Sequence, residues 1–149
     1  MTDIKEKKRI PLKEGFWTWG ESGEKPRLIG SICEACGELF FPKKENSWCI
    51  HCQKRALKDT LLSTEGEIVS FSVVMQQPGG GFYKGPVPFA YGQVDLPEGL
   101  RLKTLFSFND FKDLELGKKC ELVIEKLYDD EGGNEIVTYK FRPKQERKF

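Results

Sequence analysis

The sequence has one histidine in 149 residues, and that scarcity removes most hydrolytic and acyl-transfer chemistry. Nucleophilic catalysis couples a hydroxyl or thiol to a base that takes its proton. Here the one imidazole, His51, is wedged between cysteines in Cys49-Ile50-His51-Cys52. Asp and Glu number 23, yet no paired spacing marks an acid/base couple. Neither a phosphate-binding loop nor a dinucleotide fingerprint is present. The formal net charge of +1 gives no global pull toward nucleic acid or membrane. No apolar run approaches the ~20 residues of a membrane span. Met1 to Ile10 is rich in Lys and Glu and lacks the apolar region of a secretory signal. The expectation is a cytoplasmic protein without catalytic residues of its own. At 32% charged and 38% hydrophobic residues, the composition suits a folded globular chain better than a disordered one.

What the sequence does have is cysteine in pairs. Cys33-Glu34-Ala35-Cys36-Gly37 is answered by Cys49-Ile50-His51-Cys52. Each Cys-x-x-Cys pair in a tight turn aims two sulfurs at one point. Two such turns complete a tetrahedron around Zn²⁺ at about 2.3 Å per bond. Cys33, Cys36, Cys49 and Cys52 are therefore the expected ligands. Four protein ligands leave no open position for a reaction, so the metal is expected to be structural. Iron accepts the same four sulfurs. His51 is not expected to replace any of them. Gly37 suits a turn that needs positive φ, and Gln53 at the equivalent place is a poorer choice. Thiolate ligands also favour a reducing compartment. The fifth cysteine, Cys120, lies in an apolar run and reads as a small buried hydrophobe.

The chain divides into an N-terminal arm (1–27), a zinc ribbon (28–55), a connector (56–65), a β-barrel (66–143) and a basic tail (144–149). In the arm, Phe16, Trp17 and Trp19 form an aromatic cluster that serves either the core or a partner. Leu28 to Ile32 enters the first cysteine turn and Leu39 to Pro42 leaves it, a strand–knuckle–strand hairpin. This ribbon is too short for a self-sufficient core, so metal must supply much of its folding energy. Gln53 to Leu62 has helix-compatible content.

Five β-type runs follow, at Glu67–Gln76, Phe89–Leu96, Leu100–Phe108, Cys120–Glu125 and Ile136–Phe141. Pro97-Glu98-Gly99 reads as a hairpin turn and Asp129–Asn134 as a turn cluster. Five short strands without a long helix fit a five-stranded OB-fold barrel, with an SH3-like barrel or open sandwich as the fallback. The fold class is thus mainly β, a rubredoxin-like ribbon followed by an OB barrel.

One loop carries ligand potential. Within Pro78–Pro86, Gly79, Gly80 and Gly81 expose backbone N–H groups that form an anion-binding nest. Lys84 adds positive charge, and Phe82 and Tyr83 offer flat faces to an adenine or a partner. The alternative is a flexible hairpin loop. The end of the chain from Lys140 to Phe149, with Lys140, Arg142, Lys144, Arg147 and Lys148 against Glu146 alone, is either solvated or a phosphate or acidic-partner contact.

The combined order carries a resemblance. It runs Phe16-Trp17, then Leu28-Ile29-Gly30-x-x-Cys33-x-x-Cys36-Gly37-x-x-x-Phe41-Pro42, the second cysteine pair, and Gly66-Glu67-Ile68-Val69-Ser70-Phe71-Ser72-Val73-Val74. Pro88-Phe89-Ala90-Tyr91-Gly92-Gln93-Val94-Asp95-Leu96-x-Glu98-Gly99 and a closing Phe141-Arg142-Pro143 complete it. Over residues 16–143 the chain resembles the acyl-CoA-associated zinc-ribbon/OB-fold family, long filed as a domain of unknown function. Gly20 and Gly23 shorten the usual N-terminal helix, and the second knuckle lacks its usual Pro and Gly. The resemblance implies a non-catalytic subunit that docks on a thiolase-fold partner and helps form a coenzyme A or acyl-CoA site. Within it, the small subunit of an anaerobic aromatic-degradation thiolase is a close candidate. The alternative is a single-stranded nucleic-acid-binding module. That mode needs a basic groove with exposed aromatics, and the second and third barrel strands carry only Arg101 and Lys103 as cations.

Overall fold

The computed structural model describes residues 9–19, 25–80 and 83–144. Among these residues nine strands fall into two sheets. β1 (Arg9–Pro11) belongs to the arm. β2 (Ile29–Cys33), β3 (Leu39–Phe40) and β4 (Leu57–Leu61) make the ribbon sheet in the order β3-β2-β4. The barrel strands are β5 (Glu65–Val74), β6 (Phe89–Asp95), β7 (Arg101–Phe106), β8 (Lys119–Asp129) and β9 (Glu135–Pro143). Their order is β9-β7-β6-β5-β8, and β8 pairs back onto β9 to close the barrel. β7 and β9 run parallel through Leu105↔Lys140 and Phe106↔Phe141 while the other barrel pairings are antiparallel. That closed five-stranded order is the OB-fold. A 3-10 turn, Phe111–Asp113, bridges β7 and β8, its N-cap Asp110 accepting from the Lys112 N–H. No helix among the described residues is long and apolar enough to cross a membrane.

The strands form where alternation places apolar residues inside. Ala90 and Val94 of β6 face Leu102 and Phe106 of β7, while Tyr91 and Lys103 point out. The expected turns are in place: Gly99 N–H donates to Leu96 O at 3.0 Å, and Asp130 N–H to Asn134 O at 2.9 Å. β5 bends at a bulge between Ile68 and Ser70, which tightens the barrel.

The helix-compatible reading of 53–62 gives way to a strand. β4 pairs along β2 from Ile29↔Leu61 to Cys33↔Leu57. Helix propensity is a weak prior, and β2 offers an edge that the Lys58-Asp59-Thr60 segment completes. Ribbon and barrel then share one core. Leu28, Leu62 and Trp17 are buried in the same cluster as Ile68, Val94, Val137 and Phe141. Phe16 and Trp17 therefore serve that core, with Phe16 edge-on to Phe41 at 5.6 Å, while Trp19 stays half-exposed beside Trp17.

Candidate metal centre and ligand loop

Each cysteine turn is built by the same two backbone hydrogen bonds. In the first, Cys33 N–H donates to Glu38 O at 2.9 Å and Gly37 N–H to Cys33 O at 2.7 Å. In the second, Cys49 N–H donates to Lys54 O at 2.9 Å and Gln53 N–H to Cys49 O at 2.8 Å. The fifth residue of each turn is left-handed, Gly37 at φ 80° and Gln53 at φ 65°. Glycine accepts that conformation freely; Gln53 holds it at a cost of about 1 kcal/mol.

The two turns bring all four cysteine sulfurs within 4.8 Å of one another. Cys33 Sγ lies 3.6 Å from Cys52 Sγ, and Cys36 Sγ lies 3.6 Å from Cys49 Sγ. A tetrahedron with bonds of about 2.3 Å has edges of about 3.8 Å, so the spacing fits a zinc ion. Charge leads to the same conclusion. The Cys36 N–H directed at Cys33 Sγ draws that thiol down to about 6. Cys36 is held the other way. Although the Glu38 N–H favours its thiolate, desolvation and the facing sulfurs push it up to about 12. Cys52 is raised as well, against the pull of the Lys54 N–H. Four sulfurs at this spacing ionise together only around a cation. His51 is exposed in this turn. Bound there, a zinc ion supplies cross-linking and no reaction.

Cys120 lies apart from this group. It is fully buried, and burial pushes its thiol up to about 12. Only the unfolded thiol ionises in the ordinary range, so this group erodes stability as pH rises from about 9 toward 12 and leaves it untouched below. In a thiol titration at pH 8, the native protein should show no fast-reacting group from Cys120. Chelation should release four reactive thiols while Cys120 stays protected until denaturant is added. Early reaction of Cys120 would contradict its burial.

Tyr83, at the described end of the glycine-rich loop, makes three fixed contacts. Tyr83 stacks on Phe89 with ring centroids 3.9 Å apart, and its hydroxyl donates to Pro86 O at 2.7 Å. Gln77 Nε2 donates to Tyr83 O at 2.5 Å. One face of Tyr83 is therefore already occupied. Lys84 Nζ stands 5.9 Å from the Tyr128 ring centroid. Gly79 and Gly80 occupy a turn, and Gly81 and Phe82 lie outside the described residues. So do Arg147 and Lys148 of the tail. Within the described part, Lys140 approaches Glu125 at 3.8 Å, Arg142 pairs with Glu121 at 2.9 Å, and Lys144 pairs with Glu65. These three basic residues sit in intramolecular pairs.

A groove on the outer face of β5, β6 and β7 had no signal in the sequence, because its residues come from five segments. Tyr91, Lys103 and Tyr139 line it together with Lys13 and Phe16 of the arm. Outward-facing positions of a strand announce only exposure, and the arm's return across the barrel is a tertiary feature.

Fold and site together define a zinc-ribbon/OB-fold protein. The rubredoxin-like zinc ribbon domain of ChsH2 matches residues 21–58, and the C-terminal OB-fold domain of ChsH2 matches residues 59–125. The chain is 32% identical over 136 residues to a DUF35 domain-containing scaffold protein of Methanothermobacter thermautotrophicus, covering 89% of this chain and 98% of that one. It is 32% identical over 124 residues to benzoylsuccinyl-CoA thiolase subunit BbsA of Thauera aromatica, covering 80% and 78%. Among solved structures, the Ltp2-ChsH2(DUF35) aldolase aligns with a TM-score of 0.60 at 26% identity, over 78% of this chain and 84% of that one. The chain belongs to the DUF35 family.

Proposed function

We propose that this chain is a non-catalytic, zinc-stabilised subunit of a cytoplasmic thiolase-type acyl-CoA complex. In this reading Cys33, Cys36, Cys49 and Cys52 hold the ion, and the chain docks on a thiolase-fold partner. The observation that carries the reading is the match to a thiolase subunit along most of both chains. The chain's own chemistry agrees. Thiolase-type reactions need an activated thiolate with a base beside it. The one thiol outside the ribbon, Cys120, is buried and held protonated. The reacting groups then belong to the partner. A role in benzoylsuccinyl-CoA cleavage is the finest form of the proposal.

The loop around Gly79, Gly80, Tyr83 and Lys84 would contact the coenzyme A part of an acyl-CoA shared with that partner, Lys84 meeting a phosphate. Affinity purification from the native cell, followed by mass spectrometry, tests the docking. A thiolase-fold protein recovered in near-equal amount supports it, and recovery of the chain alone or with nucleic acid overturns it. For the loop, Lys84→Glu should raise the KM of the complex for acyl-CoA about five- to tenfold, with kcat and co-elution unchanged. That loss reflects reversed charge at an anion contact. An unchanged KM removes the loop from the site.

A further inference from the structure

The groove over β5, β6 and β7 encloses about 560 Å³, within the range of small-molecule sites. Two cross-strand rows run through it. Ser72, Tyr91 and Leu105 lie side by side, as do Ser70, Gln93 and Lys103. The arm adds Leu12, Lys13 and Phe16. It is held there by β1 on β9 and by Leu12 N–H donating to Val137 O at 2.8 Å. Tyr139 ties β9 to its neighbour β7, its hydroxyl donating to Lys103 O at 3.0 Å. The outer faces of OB strands are a general place for ligands.

The charge in this groove is one-sided. Among the described residues Lys13 and Lys103 are its only charged lining residues, and no carboxylate lines it. Among the described residues neither ammonium has a carboxylate within 4.0 Å. Lys13 Nζ stands 5.9 Å from the Phe16 ring centroid, so cation and aromatic wall are adjacent. A second cavity, near Glu121 and Arg142, is different in kind. Its charges of both signs include the Arg142–Glu121 pair at 2.9 Å, which leaves no net demand for a ligand.

The geometry points to a binding site for an amphipathic monoanion: an apolar body resting on Tyr91 and Phe16, ended by one carboxylate or sulfonate on Lys13 and Lys103. Two cations are too few for a phosphate backbone, whose binding releases counterions at many contacts. A neutral apolar ligand would use the walls and leave the ammoniums unengaged. A cationic one would meet repulsion. The site is separate from the metal centre and does not depend on the docking reading above.

The test uses the full chain and two probes, the fluorescent sulfonate 8-anilinonaphthalene-1-sulfonate and decanoate below its micelle concentration. The fluorophore should bind saturably and be displaced by decanoate. Decanol should displace it several-fold less well, and decyltrimethylammonium not at all. Reversing both charges in a Lys13→Glu/Lys103→Glu variant should weaken decanoate roughly tenfold, since each exposed charge contact contributes a few-fold. Lys103→Gln alone should weaken it a few-fold if the double variant is poorly folded. Lys112→Glu, a surface cation outside the groove, should bind as the parent does. Absence of saturable binding, equal displacement by the cationic amphiphile, better displacement by a single-stranded oligonucleotide, or unchanged affinity in the charge variants would each overturn the assignment.

Discussion

Replacing Cys33 or Cys49 by serine should abolish stoichiometric metal and melt the N-terminal half of the molecule. Both side chains are buried, and each belongs to one of the 3.6 Å sulfur pairs. Serine removes a thiolate and leaves a three-ligand site open to water. Structural zinc contributes ~10–16 kcal/mol of folding free energy in small ribbons at neutral pH. The β2–β3 pairing is only two residue pairs long, so little else holds the first knuckle. The loss should spread, because Leu28 and Leu62 of the ribbon are part of the barrel's core. A fall in melting temperature of at least ~10 °C is expected, read by calorimetry beside elemental analysis of the purified variant. A chelator should reproduce the effect in the parent protein. Acidification should do the same as protons compete for the sulfurs. His51→Ala should retain full metal and normal melting. Full metal in the Cys33→Ser protein would exclude the four-sulfur site.

The metal centre was legible because its signal is local. Two cysteine pairs and a following Gly37 specify their turns within five residues, and the same backbone bonds recur in both. The barrel was legible for a related reason. Period-two alternation in Phe89–Asp95 and Arg101–Phe106, with Gly99 between, carries both strands and their turn. What escaped depends on partners distant in sequence. The segment around Lys58-Asp59-Thr60 has no strand pattern of its own and becomes one because β2 lies beside it. Phe16 and Trp17 in isolation fit a partner as well as a core, and it is Phe41, Tyr139 and Leu28 that bring them into the core. The composition of the glycine loop likewise gives no sign that Tyr83 stacks on Phe89 and donates to Pro86 O.

Gly92 carries the second large effect. It sits in mid-strand, where a residue without a side chain ordinarily weakens a sheet. The reason is the bulge in β5, which brings that strand across it. A Cβ at position 92 would stand 2.0 Å from Ser70 O and 2.7 Å from Phe71 Cα. Both obstacles are backbone, so no rotamer change relieves them. Gly92→Val must therefore separate β5 from β6 or slip their register, at a cost of about 3 kcal/mol or more. The urea midpoint should fall accordingly at unchanged slope. Gly79→Ala is the control, since no described residue lies within 4 Å of its added methyl, and it should shift stability by no more than ~0.5 kcal/mol. A Gly92→Val protein that melts like the parent would mean that β5 does not cross so closely. The same crossing sets Ser70, Gln93 and Lys103 in one row of the groove, so Gly92→Val should remove fold stability and anion binding together. Lys103→Gln should weaken binding a few-fold and leave stability as it is. Only the second separation distinguishes a ligand site from a merely well-packed face of the barrel.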